Sequence, residues 1–128
     1  MTVKFYDEKH EKAYGEILAR MKSRDCYHRT VAYLFGLPVT REHVDDLFDF
    51  EESLIKREGL NKGWQTGGSY KTTRLAFNLW NGCHYDIEDG NEDLSTCSWY
   101  TPEQIFVVTA FAPYYWEAVK IRFDISEG

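Results

Sequence analysis

Apolar residues at helical spacing, interrupted at intervals by glycine and proline, run through most of this 128-residue sequence. In the first such segment, Tyr14, Ile17, Leu18 and Met21 occupy the i, i+3, i+4 and i+7 positions of one helix face. Asp7 precedes the segment and can accept hydrogen bonds from the first free amides of a helix. We therefore expect a helix that begins near Asp7.

The spacing predicts a second helix from Asp25 to Gly36, and Pro38 prevents that helix from continuing. A third helix would begin after Thr40, which can cap it, and end at Gly59. Its buried stripe would consist of Val44, Leu47, Phe48, Leu54 and Ile55. Its outer face would carry the acidic residues Asp45, Asp46, Asp49, Glu51 and Glu52.

Several glycines predict a loop over Leu60–Gly68, which also carries Trp64. Ser69 can cap a fourth helix over Tyr70–Trp80, and Gly82 would end it.

The clearest local signal is a threonine cap at Thr101, followed by Pro102 at the first helical position and by Gln104. A fifth helix should begin there. Pro113 lacks an amide proton, so the apolar stretch around it should divide or kink before a sixth helical segment that reaches Val119.

Two other segments carry different signals. Residues 83–100 are rich in turn-forming and acidic side chains and have little to bury, so we expect a surface loop. Both ends of the chain alternate apolar and polar residues, which allows a short two-stranded ribbon between the termini: Val3 and Phe5 at one end, and Val119, Ile121, Phe123 and Ile125 at the other. The sequence predicts a mainly α, single compact domain over 1–128, with five to six helices.

Composition restricts the function. The formal net charge of -6 argues against direct nucleic-acid binding, although it leaves room for a local basic patch. No apolar run reaches the ~20 residues that span a membrane, and the N-terminus is too charged for a secretory signal. Three cysteines at wide spacing, Cys26, Cys83 and Cys97, indicate free thiols and a reducing compartment. We expect a cytoplasmic protein.

The segment 63–74 contains glycines, Lys71 and Thr72, which invites comparison with a phosphate-binding P-loop. The comparison fails because Tyr70 occupies the place before the lysine where that motif requires glycine, and no buried strand precedes the loop. Free amides at the helix start, with Lys71, Thr72 and Arg74 nearby, could still bind a small anion. The alternative is that Ser69 and Thr72 only cap the helix, while both cations face solvent or pair with acidic residues of the third helix.

Metal binding and catalysis have weaker support. Cys83, His84 and Cys97 lack the paired spacing of structural zinc sites. None of the histidines, which are His10, His28, His43 and His84, lies in a recognisable catalytic motif. We expect no metal, no cofactor and no catalytic residue.

The chain has more aromatic rings than one small helical core readily hides, among them Trp64, Trp80, Trp99, Tyr100, Tyr114, Tyr115 and Trp116. Trp64 and Trp99 lie in predicted loops, where exposed tryptophans commonly anchor interfaces. Alternatively, these loops fold back and cover the core.

Three strings, LNKGWQTGGSYKTTRLAFNLWNG, YTPEQIF and APYYWEAVKIRF, resemble a family of small bacterial proteins of unknown function that are often encoded on mobile elements. The resemblance extends from the FYDEKHEKAY start to Phe123, and its signature stretch is Asn61–Asn81. It implies a bacterial, cytoplasmic setting and brings no activity.

These observations favour a noncatalytic protein-interaction module with an unidentified protein partner. A sharper version is an acidic mimic that occupies a basic groove on that partner. The alternative is a small enzyme or ligand sensor with an anion-binding pocket at Gly67–Arg74. Exposed rings could equally seal a homodimer. The candidate ligand- or partner-binding residues are Asn61, Lys62, Trp64, Gln65, Thr66, Lys71, Thr72, Arg74 and Asn78.

Overall fold

Helix formation follows the apolar spacing over most of the chain in the computed structural model, which describes residues 2–126. The fold is mainly α, as the sequence predicted. The α-helices are α1 (Glu8–Arg20), α2 (Cys26–Phe35), α3 (Val44–Leu47), α4 (Gly67–Asn81), α5 (Pro102–Phe106) and α6 (Ala112–Phe123). Three 3₁₀ helices cover Arg41–His43, Arg57–Asn61 and Leu94–Tyr100. Two antiparallel hairpins pair β1 (Phe48–Asp49) with β2 (Leu54–Ile55) and β3 (Asp86–Glu88) with β4 (Asn91–Asp93).

Helix α2 lies at the centre of the molecule. Its second half is apolar on every side, and Val31, Leu34 and Phe35 have no solvent-accessible surface. Helices α1, α4 and α6 all pack against it. A helix without a polar face is stable only when neighbours cover it completely, so the other helices are arranged around α2.

His10 joins α1 to α2 inside this core. Its Nε2–H donates to the backbone carbonyl of Tyr33 at 2.7 Å, and its Nδ1 accepts from the amide of Tyr6 at 2.9 Å. These two partners fix a neutral imidazole with the proton on Nε2. The histidine is fully buried, so its role in the fold is structural.

The termini do not form the ribbon that their alternation allowed, at least within residues 2–126. Helix α6 continues to Phe123, and Val3 packs against the core outside any strand. The amide of Lys4 donates to Oε2 of the buried Glu117 at 3.1 Å, and the hydroxyl of Tyr33 donates to the Lys4 carbonyl at 2.5 Å. The N-terminal segment is therefore held by side chains of α2 and α6 instead of by strand pairing.

The predicted third helix, Thr40–Gly59, is wrong. Only α3 is α-helical in this stretch, and the chain then turns into the β1–β2 hairpin. The Asp49 carboxylate accepts from the amides of Glu51 and Glu52, which gives the backbone a turn instead of a helix. Thr40 does not cap a helix start either, because its buried hydroxyl donates to carbonyls at the end of α2.

The predicted surface loop over 83–100 is also more ordered than expected. It contains the β3–β4 hairpin, whose turn places Asp89 at φ 51° and Gly90 at φ 77°. Two consecutive residues with positive φ define the tight hairpin turn that Asp-Gly pairs favour. The Asp-Gly dipeptide therefore predicts a hairpin here, instead of the surface loop that the composition of residues 83–100 suggested.

Most predicted helix ends are correct. Asp7, Asp25 and Thr101 each accept a hydrogen bond from the third residue of the following helix, and α6 begins directly before Pro113 as the predicted division requires. The start of α4 differs from the prediction. Thr66, not Ser69, is its cap, and the Ser69 hydroxyl accepts from the Thr66 amide at 2.7 Å to complete a capping box.

Gly59 explains the close approach of the 3₁₀ helix Arg57–Asn61 to α3. A Cβ atom at Gly59 would overlap the backbone carbonyl of Asp46 and lie 2.7 Å from Cδ2 of Leu47. We predict that Gly59→Ala lowers the free energy of unfolding by about 1–3 kcal/mol, the usual cost of overpacking. Urea denaturation would measure this. Gly63→Ala is the matched control, because nothing lies within 4 Å of a Cβ there, and equal stabilities of the two variants would contradict the packing account.

His10 should make stability depend on pH. Burial lowers the pKa of His10 below its ordinary value of 6.5, so the folded state binds fewer protons than the unfolded state in mildly acidic solution. The contribution of neutral His10 is present above about pH 6.5 and is lost as the pH falls below it. Thermal unfolding between about pH 7.5 and about pH 5.5 should show a falling melting temperature. His10→Gln should reduce this slope, and His84→Gln, at an exposed site, should not; a slope unchanged in His10→Gln would refute the assignment.

Candidate functional site

A cleft of about 380 Å³ opens between the first half of α4 and the segment around α5. Helix α4 contributes one face, because its lining residues are spaced by three or four positions. Trp99 borders the cleft from the 3₁₀ helix Leu94–Tyr100, and Gln104 borders it from α5. The lining residues are Gly67, Tyr70, Lys71, Arg74, Trp99 and Gln104.

Arg74 forms one wall and is anchored from behind by Asp86 on β3. Its Nε and Nη2 atoms donate to the two carboxylate oxygens of Asp86 at 3.2 and 2.7 Å. The two side chains are only 14% and 15% exposed. A bidentate, mostly buried pair of this kind fixes the guanidinium in one orientation, so the pair holds the β3–β4 hairpin against α4.

The Arg74 guanidinium also lies among aromatic rings. Its Cζ atom is 4.9 Å from the ring centre of Tyr70 and 5.7 Å from that of Trp99, distances at which cations and rings attract each other. The Tyr100 hydroxyl donates to Oδ1 of Asp86 at 2.6 Å, and burial together with this carboxylate raises the pKa of Tyr100. The arginine, its carboxylate and the rings therefore form one rigid unit.

Lys71 connects the cleft to the segment that follows α5. Its Nζ atom donates to the backbone carbonyl of Val107. The next residue, Val108, has a φ of 45° and is 94% exposed. A β-branched residue in the left-handed region is a conformational outlier. A strained, exposed apolar side chain therefore lies beside the cleft.

The glycine loop is tied to the body of the molecule more firmly than its composition suggested. The indole Nε1 of Trp64 donates to Oδ2 of Asp46 at 2.8 Å, and the indole stacks on His43 with ring centres 4.0 Å apart. Trp64 is consequently half-buried. Gln65 donates through Nε2 to the Gly59 carbonyl at 3.1 Å and accepts through Oε1 from the Ser69 hydroxyl.

The remaining predicted site residues are spread along the loop and α4. Asn61 donates to the carbonyl of Ile87 at 2.8 Å, whereas Lys62 and Thr66 are exposed. Thr72 is fully buried, with its hydroxyl 2.6 Å from that of Tyr115. Asn78 donates to the carbonyl of Cys83 at 3.1 Å. Of the nine predicted residues, the structure brings only Lys71 and Arg74 together at the cleft.

Sequence reasoning did not select Tyr70 or Gln104 as site residues. Tyr70 lies three positions after Gly67 and four before Arg74, so helical spacing alone could have placed it on the same face. The sequence identifies Gln104 only as part of a helix cap, and no sequence signal indicates that α5 lies across from α4.

The cysteines and histidines form no metal-binding cluster in the described part of the chain, where no group of three or more His, Cys, Asp or Glu residues could hold an ion. The Cys83 thiol donates to the carbonyl of Tyr85 at 3.5 Å, and His84 is exposed. His28 is buried and pairs through Nδ1 with Asp25 at 2.7 Å. None of the helices within residues 2–126 is long and apolar enough to cross a membrane.

The fold and the cleft together define a small, mainly helical protein with a candidate binding cleft along the first half of α4. A family model matches residues 1–127, and the chain belongs to that family, DUF6075, a family of unknown function. Neither the curated proteins nor the solved structures contain a match to this chain.

Proposed function

We propose that this protein is a noncatalytic protein-interaction module and that it contacts its partner through the apolar border of the cleft. Trp99 is 49% exposed and Val107 is 45% exposed, and both lie next to Lys71 or Arg74. Exposed aromatic and aliphatic side chains around a polar anchor are typical of protein interfaces. Together with Val108 they form the border surface, defined here as Trp99, Val107 and Val108.

Val108 is the observation that carries this proposal. A β-branched residue at φ 45° costs about 1–2 kcal/mol relative to an ordinary backbone conformation. The fold recovers none of this cost through burial, because 94% of the side chain faces solvent. Strained residues of this kind concentrate where a protein binds something, so a contact outside this chain is the simplest reason for an exposed valine here.

The loop before α4 supplies a second contact area. Lys62 and Thr66 are exposed there, beside the half-buried ring of Trp64. The proposal retains the bacterial, cytoplasmic setting and the mobile-element origin that the sequence resemblance implied, and it assigns no catalytic role to the cleft.

The acidic-mimic version of this function is supported by the two hairpins. They carry exposed carboxylates that are close in sequence: Glu51 and Glu52 in the turn of the first hairpin, and Glu88, Asp89 and Glu92 on the strands and turn of the second. Such clusters would be attracted to a basic groove. Binding through them should weaken steeply with salt, whereas binding through the border surface should depend on salt only slightly.

The border-surface proposal makes a paired prediction about Val108→Gly. Glycine adopts positive φ at no steric cost, so the variant should be more stable than the parent by about 1 kcal/mol, measured by urea denaturation. The same variant should bind its partner more weakly, because it removes the exposed side chain. Lower stability of Val108→Gly would contradict the strain argument.

A photo-crosslinking amino acid placed at position 108 in cells should give a specific adduct with the partner. Leu54 is the matched control site, because it is an exposed apolar residue on the β1–β2 hairpin, next to its acidic turn. An adduct from position 108 and none from position 54 would support the border surface. Adducts from position 54 alone would favour the acidic mimic, and an absence of adducts at both positions would overturn the interaction module.

A further inference from the structure

We propose that the cleft itself is a binding site for a small planar organic carboxylate, a function beyond contact with a protein partner. The cleft has two flat aromatic walls, an uncompensated cation and a neutral amide, supplied by Tyr70, Trp99, Lys71 and Gln104. A ligand that combines an aromatic or flat apolar group with one carboxylate uses every one of these features.

The volume of the cleft and its aromatic lining determine the size and shape of the ligand's apolar group. A volume of about 380 Å³ lies at the small end of the range for ligand pockets. Tyr70 and Trp99 present rings on which a flat group can stack, and such ring contacts add to the energy of burial. Trp99 is half exposed, so a ligand that covers it gains apolar contact area.

The charged residues that line the cleft determine which polar group the ligand should carry. Among residues 2–126, the charged residues that line the cleft are Lys71 and Arg74, and both are cationic. Asp86 neutralises Arg74 from behind through two hydrogen bonds. Among the described residues, no carboxylate forms a salt bridge with Lys71. At the cleft, Lys71 is therefore a cation without a salt bridge to a carboxylate of the described residues, in a molecule whose overall charge is negative.

Lys71 retains the capacity to bind a carboxylate. An ammonium group has three N–H donors, and the carbonyl of Val107 accepts from one of them. A ligand carboxylate could accept from another while the bond to Val107 is kept. The Gln104 amide can donate to the second carboxylate oxygen or to a polar atom on the ring.

The same geometry disfavours a polyphosphate. Phosphate-binding loops rely on several free backbone amides and on more than one free cation. At the start of α4, the Ser69 amide donates to the Thr66 hydroxyl, and the Ser69 hydroxyl accepts from the Thr66 amide. A single carboxylate matches the one cation that remains.

Gly67 offers a way to close the cleft without disturbing the fold. It lines the cleft, and a Cβ atom there would meet nothing within 4 Å. Gly67→Leu should therefore place a side chain inside the cleft and leave the midpoint of urea unfolding unchanged. Gly63→Leu is the matched control, because Gly63 has the same open space and does not line the cleft.

The test uses three probes that share one ring and differ in charge: indole-3-acetate, indole-3-acetamide and tryptamine. Titration of the full chain, followed by amide chemical shifts in NMR spectra, would give the affinity of each. We expect the acetate to bind about tenfold tighter than the neutral amide, because its carboxylate accepts a charge-assisted hydrogen bond from Lys71. The cationic amine should bind most weakly, because Lys71 repels it. The shifts should be largest at Tyr70, Lys71 and Trp99.

Two variants decide the outcome. Lys71→Gln should lower the affinity for indole-3-acetate about tenfold to that of the amide, without changing the affinity for the amide. Gly67→Leu should abolish binding of both the acetate and the amide. Gly63→Leu should bind both probes as the parent protein does. Equal affinities for the three probes, shifts that lie elsewhere in the molecule, or binding that survives in Gly67→Leu would each overturn the proposal. These results are independent of Val108, so they distinguish ligand binding in the cleft from partner binding at its border.

Discussion

The complete burial of the second half of α2 determines how the rest of the chain is arranged. Val31, Tyr33, Leu34 and Phe35 face different directions around the helix, and none of them reaches solvent. Three other helices must therefore pack against α2 at once, and the structure shows α1, α4 and α6 doing so. The burial of these side chains supplies much of the driving force for folding.

This arrangement gives α4 two faces with different roles. The face toward the core buries Thr72, Leu75, Ala76 and Leu79, and the opposite face carries the cleft-lining residues. Because the inner face is fixed by packing, the outer side chains are held on a rigid element, which is the favourable situation for a binding site. The Arg74–Asp86 pair joins the β3–β4 hairpin to the same helix and fixes the Arg74 guanidinium beside the cleft.

Local signals in the sequence predicted much of the helical framework. Helix caps at Asp7, Asp25 and Thr101 and the break at Pro113 depend only on residues a few positions apart, so they could be found without tertiary information. The third helix was predicted wrongly because its apolar spacing was read without the turn chemistry of Asp49. Gly59 was interpreted as a helix stop, whereas its actual role is to let two backbone segments approach each other.

The site was harder to predict because it depends on pairs that are distant in sequence. Lys71 and Arg74 lie close together on one helix, but nothing local in the sequence indicates that Asp86 pairs with Arg74 while Lys71 donates to the carbonyl of Val107. In the same way, the hydrogen bond from the Trp64 indole to Asp46 holds the glycine loop against the body of the molecule. The glycines of this loop had suggested an exposed segment. Pairs of this kind can be identified only from the tertiary structure, because their two residues are distant in sequence.

Native-state hydrogen exchange tests the role of α2 most directly. If α2 is the element around which the others pack, the amides of Val31–Phe35 should exchange only by global unfolding and be the slowest in the molecule. The hydrogen-bonded amides of the β3–β4 hairpin should exchange through smaller local openings. Amides in Val31–Phe35 that exchange as fast as those of the hairpin would contradict a fold organised around this helix.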